Sequence, residues 1–571
     1  MRRAEALRVY FFFGLTCFAF IFIGWRLFSL AYLKHAVYAQ TAEAQTGGVA
    51  NVLVRGTISL SSKDGEPVLA AGNKKFPVIS IVASKIPSSK QDEVVAEVTK
   101  ISGMTEDAVG KMVRSKSDYA RILPTHLTSE QVETIQGLHI AGLGVSQQAD
   151  RFYPNEGLAA DVVGFLGYGE KGRVGQYGAE SFYDDILSGQ KAKLTDKLGD
   201  LPGLFRWIRG KEDDKNEIHR PNDVVLTIDR TVQSFVEDQL SAILKRWSSP
   251  SGSIIVQEPS TGKIIAMADY PTFNPNSYRT SEPIAFLNGT LQQIFEPGSS
   301  FKPFTMVSGL DSNTITSQTI YNDTGGVEIS GYTIKNFDSK AHGQQTMTQV
   351  LEKSLNTGTM FVENKVGDEV FRDYVVNFGF GQRTGMDLPG EVSGNITNLY
   401  SGRKINYLTA SFGQGIAVTP LQMVNAYSAI ANGGKLMRPY VTAKILTEGG
   451  GEKVTEPEII GIPMTEKTAT KLQTMLTSVV DHGFDKARIP GYDVAGKTGT
   501  AQIPNEKGEY DAENVIHSFA GFAPSYNAKF VVFIKMDRPQ GIAFAADSLS
   551  PVFKEIAAYL LRYYNVPPTR Q

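Results

Sequence analysis

The stretch VYFFFGLTCFAFIFIGW, Val9 to Trp25, runs 17 residues without a charge, and Arg2, Arg3 and Arg8 precede it. Such a run must be hidden in a globular core or in a bilayer, and the choice fixes the compartment of everything after it. A cleavable signal core is usually about 7–15 residues and ends at a small-residue site. This run is longer, and no A-x-A follows at the right distance. A spanning helix needs about 20 residues, a length reached if Arg26 snorkels to the far interface. The leading arginines favour a cytoplasmic N-terminus, although Arg26 and Lys34 reduce the bias. The reading is a cytoplasmic tail over 1–8, an uncleaved transmembrane signal anchor over 9–30, and an extracytoplasmic remainder.

The chain has 571 residues, enough for roughly three or four folding units. With 57 basic against 59 acidic residues, its net charge gives no reason to expect nucleic acid as a partner. Seven histidines are scattered without HExxH or a Cys/His cluster, so no protein-built metal site is expected. The single cysteine, Cys17, lies in the apolar run, so no disulfide can form within one chain.

Residues 31–215 mix strand-like runs such as FPVISIVAS with helical ones such as QDEVVAEVTKISG, and read as a separate module. The charged, turn-rich RGKEDDKNEIHRPND, Arg209 to Asp223, reads as a linker or exposed loop. Within 216–571, GSIIVQEPSTGKIIAMADY reads as two strands joined by a turn. KFVVFIKMDRP reads as a core strand, and PVFKEIAAYLLRYY as an amphipathic helix. GYGEKG, Gly167 to Gly172, matches G-x-G-x-x-G, but dinucleotide binding needs a helix opening at the last glycine. RVGQYG follows instead and reads as a glycine-rich loop.

FEPGSSFKPF, Phe295 to Phe304, carries two serines and a lysine at the start of a helix-compatible segment. At about 100° per residue, Ser299 and Lys302 lie about 60° apart on one helix face. Ser300 and Lys302 lie about 160° apart and cannot meet. A serine hydroxyl needs a base to become a nucleophile, and a lysine serves as one only if burial or neighbouring cations lower its pKa. As a simple cap, Ser299 would pair with Glu or Gln at the third helical position, not with Lys302. Downstream, KSLNTG holds Ser354 and Asn356, and VAGKTGTAQ holds Lys497, Thr498, Gly499 and Thr500. S-x-x-K, S-D-N and K-T-G, in that order, form the set of class A β-lactamases and penicillin-binding proteins. The middle element here is S-L-N, which keeps the serine and the asparagine.

The flanking text narrows the match. RGTISL, RFYPNEGLAADVVGFLGYGEKGRVGQYGAESFYDDILSG, LTIDRTVQ, YPTFNP, TGMDLPGE and ASFGQGIAVTPLQMVNAYSAIANGGKLMRP resemble the class B, monofunctional penicillin-binding proteins. The resemblance covers nearly the whole chain. It implies a mixed α/β fold: a penicillin-binding, β-lactamase-like transpeptidase domain over 216–571, with an antiparallel sheet flanked by helices. An elongated α+β pedestal or dimerisation module over 31–215 and one N-terminal transmembrane helix complete it. The SLSSKDGEPVLA text after the first RG departs from the family's usual acidic/Arg-Asn-Gly run, which bears on partners rather than chemistry.

The resemblance implies peptidoglycan D,D-transpeptidation with no cofactor. Ser299 would attack the carbonyl between the last two D-alanines of a stem peptide and become acylated, with Lys302 taking its proton. Ser354 would relay a proton to the leaving amine, and Asn356 would position the substrate amide and Lys302. Lys497 would lower the pKa of the serine–lysine pair and attract the terminal carboxylate, which Thr498 and Thr500 would bind. The backbone N–H groups of Ser299 and Thr500 would form the oxyanion hole. Gly499 would let the substrate backbone approach closely. The implied ligands are stem peptides and β-lactams. The implied partners are a polytopic membrane glycosyltransferase and other septal membrane proteins, contacted through the anchor and the 31–215 module. Moderate length without extra C-terminal modules leans towards the septal, division-type enzyme, with an elongation-type enzyme as the alternative. A hydrolase, either a D,D-carboxypeptidase or a β-lactamase, would use the same serine. EVSGN has the glutamate-to-asparagine spacing of the β-lactamase loop, making Glu391 its candidate base. A penicillin-binding sensor would need a signalling region or several spans, and one hydrophobic anchor is read.

Overall fold

The computed structural model describes residues 55–123, 125–169, 172–189, 221–329, 331–447, 450–504 and 510–570. Among these no helix is long and apolar enough to cross a membrane, and the anchor expected over 9–30 lies outside them. The described chain forms two compact units, one with residues 73–151 and one with 55–72 and 152–570. Residues 55–72 and 152–189, read in sequence with the pedestal module, thus fold in the same unit as the transpeptidase residues.

The smaller unit is built on alternation. Ile79 and Ile81 on strand Val68–Val82 are buried, and Val94, Val95 and Val98 of helix Gln91–Ser102 fill the same core with Val109 and Val113 of Glu106–Val113. Gly103, at φ +68°, ends the first helix, a left-handed stop that glycine adopts at little cost.

The larger unit contains the helix α1, Arg230–Arg246, and the strands β1, Ser251–Gln257, and β2, Ile264–Tyr270. The helices α2, Lys302–Asp311, α3, Asn356–Val366, and α4, Pro420–Ala431, follow. Three strands come next, β3, Ala495–Pro504, β4, Tyr510–Ala523, and β5, Phe530–Asp537. Two helices close it, α5, Ala545–Ser548, and α6, Ser550–Tyr563. The strands pair antiparallel in the order β3-β4-β5-β1-β2. All eight residues of β5 are buried, as expected of a central strand covered on both faces. Ser518 and Phe519, consecutive on β4, show the two coverings. Ser518 hydrogen-bonds Ser300, and Phe519 stacks on Phe553 of α6 at 4.5 Å between ring centres. All twelve residues of α4 are buried, the mark of a helix enclosed on every side.

Residues far apart in sequence form a second sheet in this unit. Ile58–Ser61 runs parallel to Asp223–Asp229, which pairs antiparallel with Thr442–Leu446. The glycine-rich GYGEKG opens no helix. Phe165–Gly169 and Gly172–Gln176 form an antiparallel hairpin, with Gly169 opposite Gly172, so the segment after the last glycine is a strand rather than the loop read from sequence.

Candidate active site

Pro297 and Gly298 end the preceding chain, with Gly298 at φ +56°. Gly298–Phe301 is a 3-10 turn, and α2 continues from Lys302 with Pro303 in its first turn. In a 3-10 turn residues three apart eclipse one another. Ser299 lies in that turn and Lys302 opens the helix that follows it, so the pair spans the junction of the two helix types. Ser300 is fully buried and faces elsewhere, donating to Pro297 O at 2.7 Å and accepting from Ser518 Oγ at 3.1 Å. Tyr427 Oη donates to Ser300 O at 2.6 Å, fastening the turn to α4. Gly298 N donates to Gly413 O at 3.0 Å. A Cβ on Gly413 would stand 2.3 Å from Gly298 O, so the ASFGQG loop needs glycine there to lie against the turn.

Lys302 is fully buried. Its Nζ donates to Ser354 O at 2.6 Å and lies 3.2 Å from Ser354 Oγ. Lys497 Nζ reaches the same hydroxyl at 3.0 Å and its neighbour's carbonyl, Thr498 O, at 3.1 Å. Among the described residues neither lysine has a carboxylate within ion-pair distance. Burial, and then the charge of Lys497, hold the Lys302 amine well below the ordinary lysine range. Burial lowers Lys497 to about 7. A neutral Lys302 has a lone pair for a proton, and Lys497 keeps a positive charge on the acid side of neutrality. Ser354 meets both from a left-handed backbone, φ +53°, a conformation costing a non-glycine residue about 1–3 kcal/mol. It turns both its carbonyl and its hydroxyl towards the lysines.

Asn356 begins α3, and its Nδ2 donates to Lys335 O at 2.9 Å. The Asn356 NH2 group is thereby engaged by the end of strand Tyr332–Lys335, and among the described residues no hydrogen bond joins Asn356 to Lys302. The next residues explain why. Thr357 Oγ1 donates to Asp323 Oδ1 at 2.7 Å, and Thr357 N donates to Asn336 Oδ1 at 3.2 Å. Buried Asp323 also accepts from Asn336 Nδ2 at 2.9 Å and His342 N at 3.0 Å. Asp323 and Asn336 escape a sequence reading because no short motif links them to Ser-Leu-Asn.

On β3, Lys497 and Gly499 pair with Ala520 and Ser518, while Thr498 and Thr500 pair with Phe519 and His517. The two threonines therefore stand on the opposite face of this edge strand from Lys497. Thr500 Oγ1 accepts from Ala545 N at 3.2 Å. Gly499 has a reason to be glycine in the protein's own packing. A Cβ there would lie 2.3 Å from Ser518 Oγ, 2.7 Å from Pro297 O and 3.0 Å from Ser300 N. The protein's own nucleophile turn fills the space.

Glu391 is buried and spent on its own loop. Oε1 accepts from Thr384 N and Thr384 Oγ1, both at 2.6 Å, and Oε2 from Gly385 N at 3.2 Å.

Residues 252–558 match the family model described as penicillin binding protein transpeptidase domain, and residues 54–201 match the penicillin-binding protein dimerisation domain. Stage V sporulation protein D of Bacillus subtilis is 31% identical over 521 residues, covering 89% of this chain and 78% of that protein. Peptidoglycan D,D-transpeptidase FtsI of Escherichia coli is 29% identical over 450 residues, 78% of this chain and 73% of that protein. The crystal structure of penicillin binding protein 3 from Mycobacterium tuberculosis with aztreonam superposes at a TM-score of 0.65. It has 29% identity and covers 74% of this chain and 92% of the other.

Proposed function

This chain belongs to the class B penicillin-binding proteins and is a peptidoglycan D,D-transpeptidase, and from that premise we infer that it works through an acyl-enzyme on Ser299. The observation that carries the reading is the position of Ser354 Oγ, 3.2 Å from Lys302 Nζ and 3.0 Å from Lys497 Nζ.

Ser299 Oγ attacks the carbonyl of the penultimate D-alanine while its proton passes to neutral Lys302. The tetrahedral oxyanion is held by the N–H groups of Ser299 and Thr500, a contribution of about 3–4 kcal/mol per donor. Collapse breaks the amide bond, and the leaving D-alanine takes its proton through Ser354. An amine from a neighbouring stem peptide then attacks the Ser299 ester, forms the cross-link and returns the hydroxyl. Lys497, while charged, draws in the substrate carboxylate, with Thr498 and Thr500 as its donors, and Asn356 offers its carbonyl oxygen to the substrate amide. A β-lactam acylates the same serine because its strained amide stands in for the D-alanyl-D-alanine bond. Thr384 and Gly385 occupy Glu391, which supports transfer to an amine over hydrolysis.

The reading extends to an uncleaved anchor over 9–30, a partner module over 31–215 and a transpeptidase domain over 216–571, with the catalytic part outside the plasma membrane. It assigns the enzyme to septal wall synthesis beside a polytopic membrane glycosyltransferase, as the class B resemblance and the moderate chain length imply. Two experiments test it. Ser299→Ala should abolish covalent labelling by a fluorescent penicillin, and persistent labelling would overturn the nucleophile assignment. A fluorescent fusion should gather at the septum; a side-wall pattern would favour the elongation role.

A further inference from the structure

The hydroxyl of Thr500 is already half engaged inside the protein. Ala545 N opens α5, and a first-turn N–H has no partner within its own helix. It donates to Thr500 Oγ1 at 3.2 Å. A threonine hydroxyl carries two lone pairs and one proton. With one lone pair accepting from Ala545, a second lone pair and the proton remain, and a carboxylate, which takes only donors, can use only the proton.

The other end of α5 is fastened too. Ser548 Oγ lies 2.8 Å from His517 Nδ1. His517 is the cross-strand partner of Thr500 in the β3–β4 pairing, so both side chains stand on one face of the sheet. Ser548 and His517 are buried, at 3% and 0% exposure. Burial pushes the imidazole down to about 4, so it stays neutral in the working range. The four-residue helix is thereby gripped at its first residue by Thr500 and at its last by the residue opposite Thr500.

We infer that Ser548 is a positioning residue for carboxylate recognition: its contact with His517 sets α5 so that Ala545 N occupies the Thr500 oxygen and leaves the hydroxyl proton for the substrate. The inference rests on the assignment of Thr500 to the terminal carboxylate under the proposed function.

The test compares acylation of the full chain by benzylpenicillin and by its methyl ester, in competition with a fluorescent penicillin. The wild type should prefer the free acid strongly, and Thr500→Val should lose much of that preference. Ser548→Ala should lower the acid-over-ester ratio about three- to tenfold, the range of one hydrogen bond. The rate with the ester should fall less, staying within about twofold of wild type, because its neutral carbonyl accepts a weaker hydrogen bond than a carboxylate does. Ser548→Thr, which keeps the hydroxyl, should restore the ratio. His517→Phe, which replaces the imidazole with a somewhat larger aromatic ring lacking nitrogens, should lower it as Ser548→Ala does and serves if that variant fails to fold. An unchanged ratio in Ser548→Ala, or equal loss with acid and ester, would show that the contact only holds the helix together and would overturn the inference. Failure of the wild type to discriminate, or of Thr500→Val to lose discrimination, would instead remove the carboxylate assignment and the inference with it.

Discussion

Ser518 donates a 3.1 Å hydrogen bond to Ser300, joining β4 directly to the turn that carries Ser299. Both hydroxyls are buried, and Ser300 passes its own proton to Pro297 O at 2.7 Å. The second serine of the pair is thus a structural bolt. Ser300→Ala should keep covalent labelling by fluorescent penicillin, because neither Lys302 nor Lys497 bonds to it. It should lower stability by about 1–3 kcal/mol, the cost of stranding the Ser518 hydroxyl. Labelling and thermal melting on one preparation check both parts; loss of labelling at full stability would make Ser300 the nucleophile.

Gly499 extends the same argument to the backbone. A methyl group there would meet Pro297 O at 2.7 Å and Ser300 N at 3.0 Å, neither of which can rotate away. Gly499→Ala should push β3 from the nucleophile turn, cost about 1–3 kcal/mol and slow acylation at least about tenfold, since small misplacements at a reacting centre are expensive. Adding Ser518→Gly relieves only the 2.3 Å contact with Ser518 Oγ, so the double variant should remain slow. Recovery in the double variant would mean that the side chain, not the backbone, sets the limit.

The two lysines predict a bell-shaped pH profile for acylation. The acid limb is protonation of Lys302, held well below its ordinary range by burial and by Lys497. The alkaline limb is loss of the Lys497 charge near pH 7. Lys497→Arg should carry the alkaline limb far upward, because a guanidinium keeps its proton; a limb that stays near 7 would assign it to another group. Stability follows the same titration. The folded chain holds fewer protons than the unfolded one between about 7 and the ordinary lysine value of 10.5. Stability contributed by this site therefore rises with pH through that window. Lys497→Met should remove the Lys497 share of the rise, leaving that of buried Lys302, and melt a few degrees higher at pH 7.

What was legible in the sequence was local. The strands β1, β2 and β5 come from short apolar runs bounded by turn residues, and the Ser299–Lys302 alignment comes from three-residue spacing. The 3-10 turn was not legible, since Pro303 and Gly298 permit either helix type and contacts to Tyr427 and Gly413 decide. Nor was the support under Asn356, because Asp323 and Thr357 are 34 residues apart and meet only through the folded hairpins. Gly499 shows the same division: pattern marks where a side chain is forbidden, and only coordinates show that Ser518, Pro297 and Ser300 also forbid it. The same limit hid the second sheet, where Thr57 and Asp223, 166 residues apart, share a hydrogen bond.

Glu391 separates transfer from hydrolysis. To activate water in an acyl-enzyme a carboxylate needs a free oxygen facing the ester, and here three donors from Thr384 and Gly385 converge on it. Glu391→Gln must turn either its carbonyl or its amide towards those N–H groups, and the amide end would face donors with a donor. The expected result is a stability loss of about 1–3 kcal/mol with the lifetime of the penicilloyl-enzyme within about twofold of wild type, because the lost interactions act on the loop rather than on the ester. Trapping the complex with a fluorescent penicillin and following release of label measures that lifetime directly. A strongly lengthened lifetime would identify Glu391 as the base for water and move the enzyme to the hydrolase class.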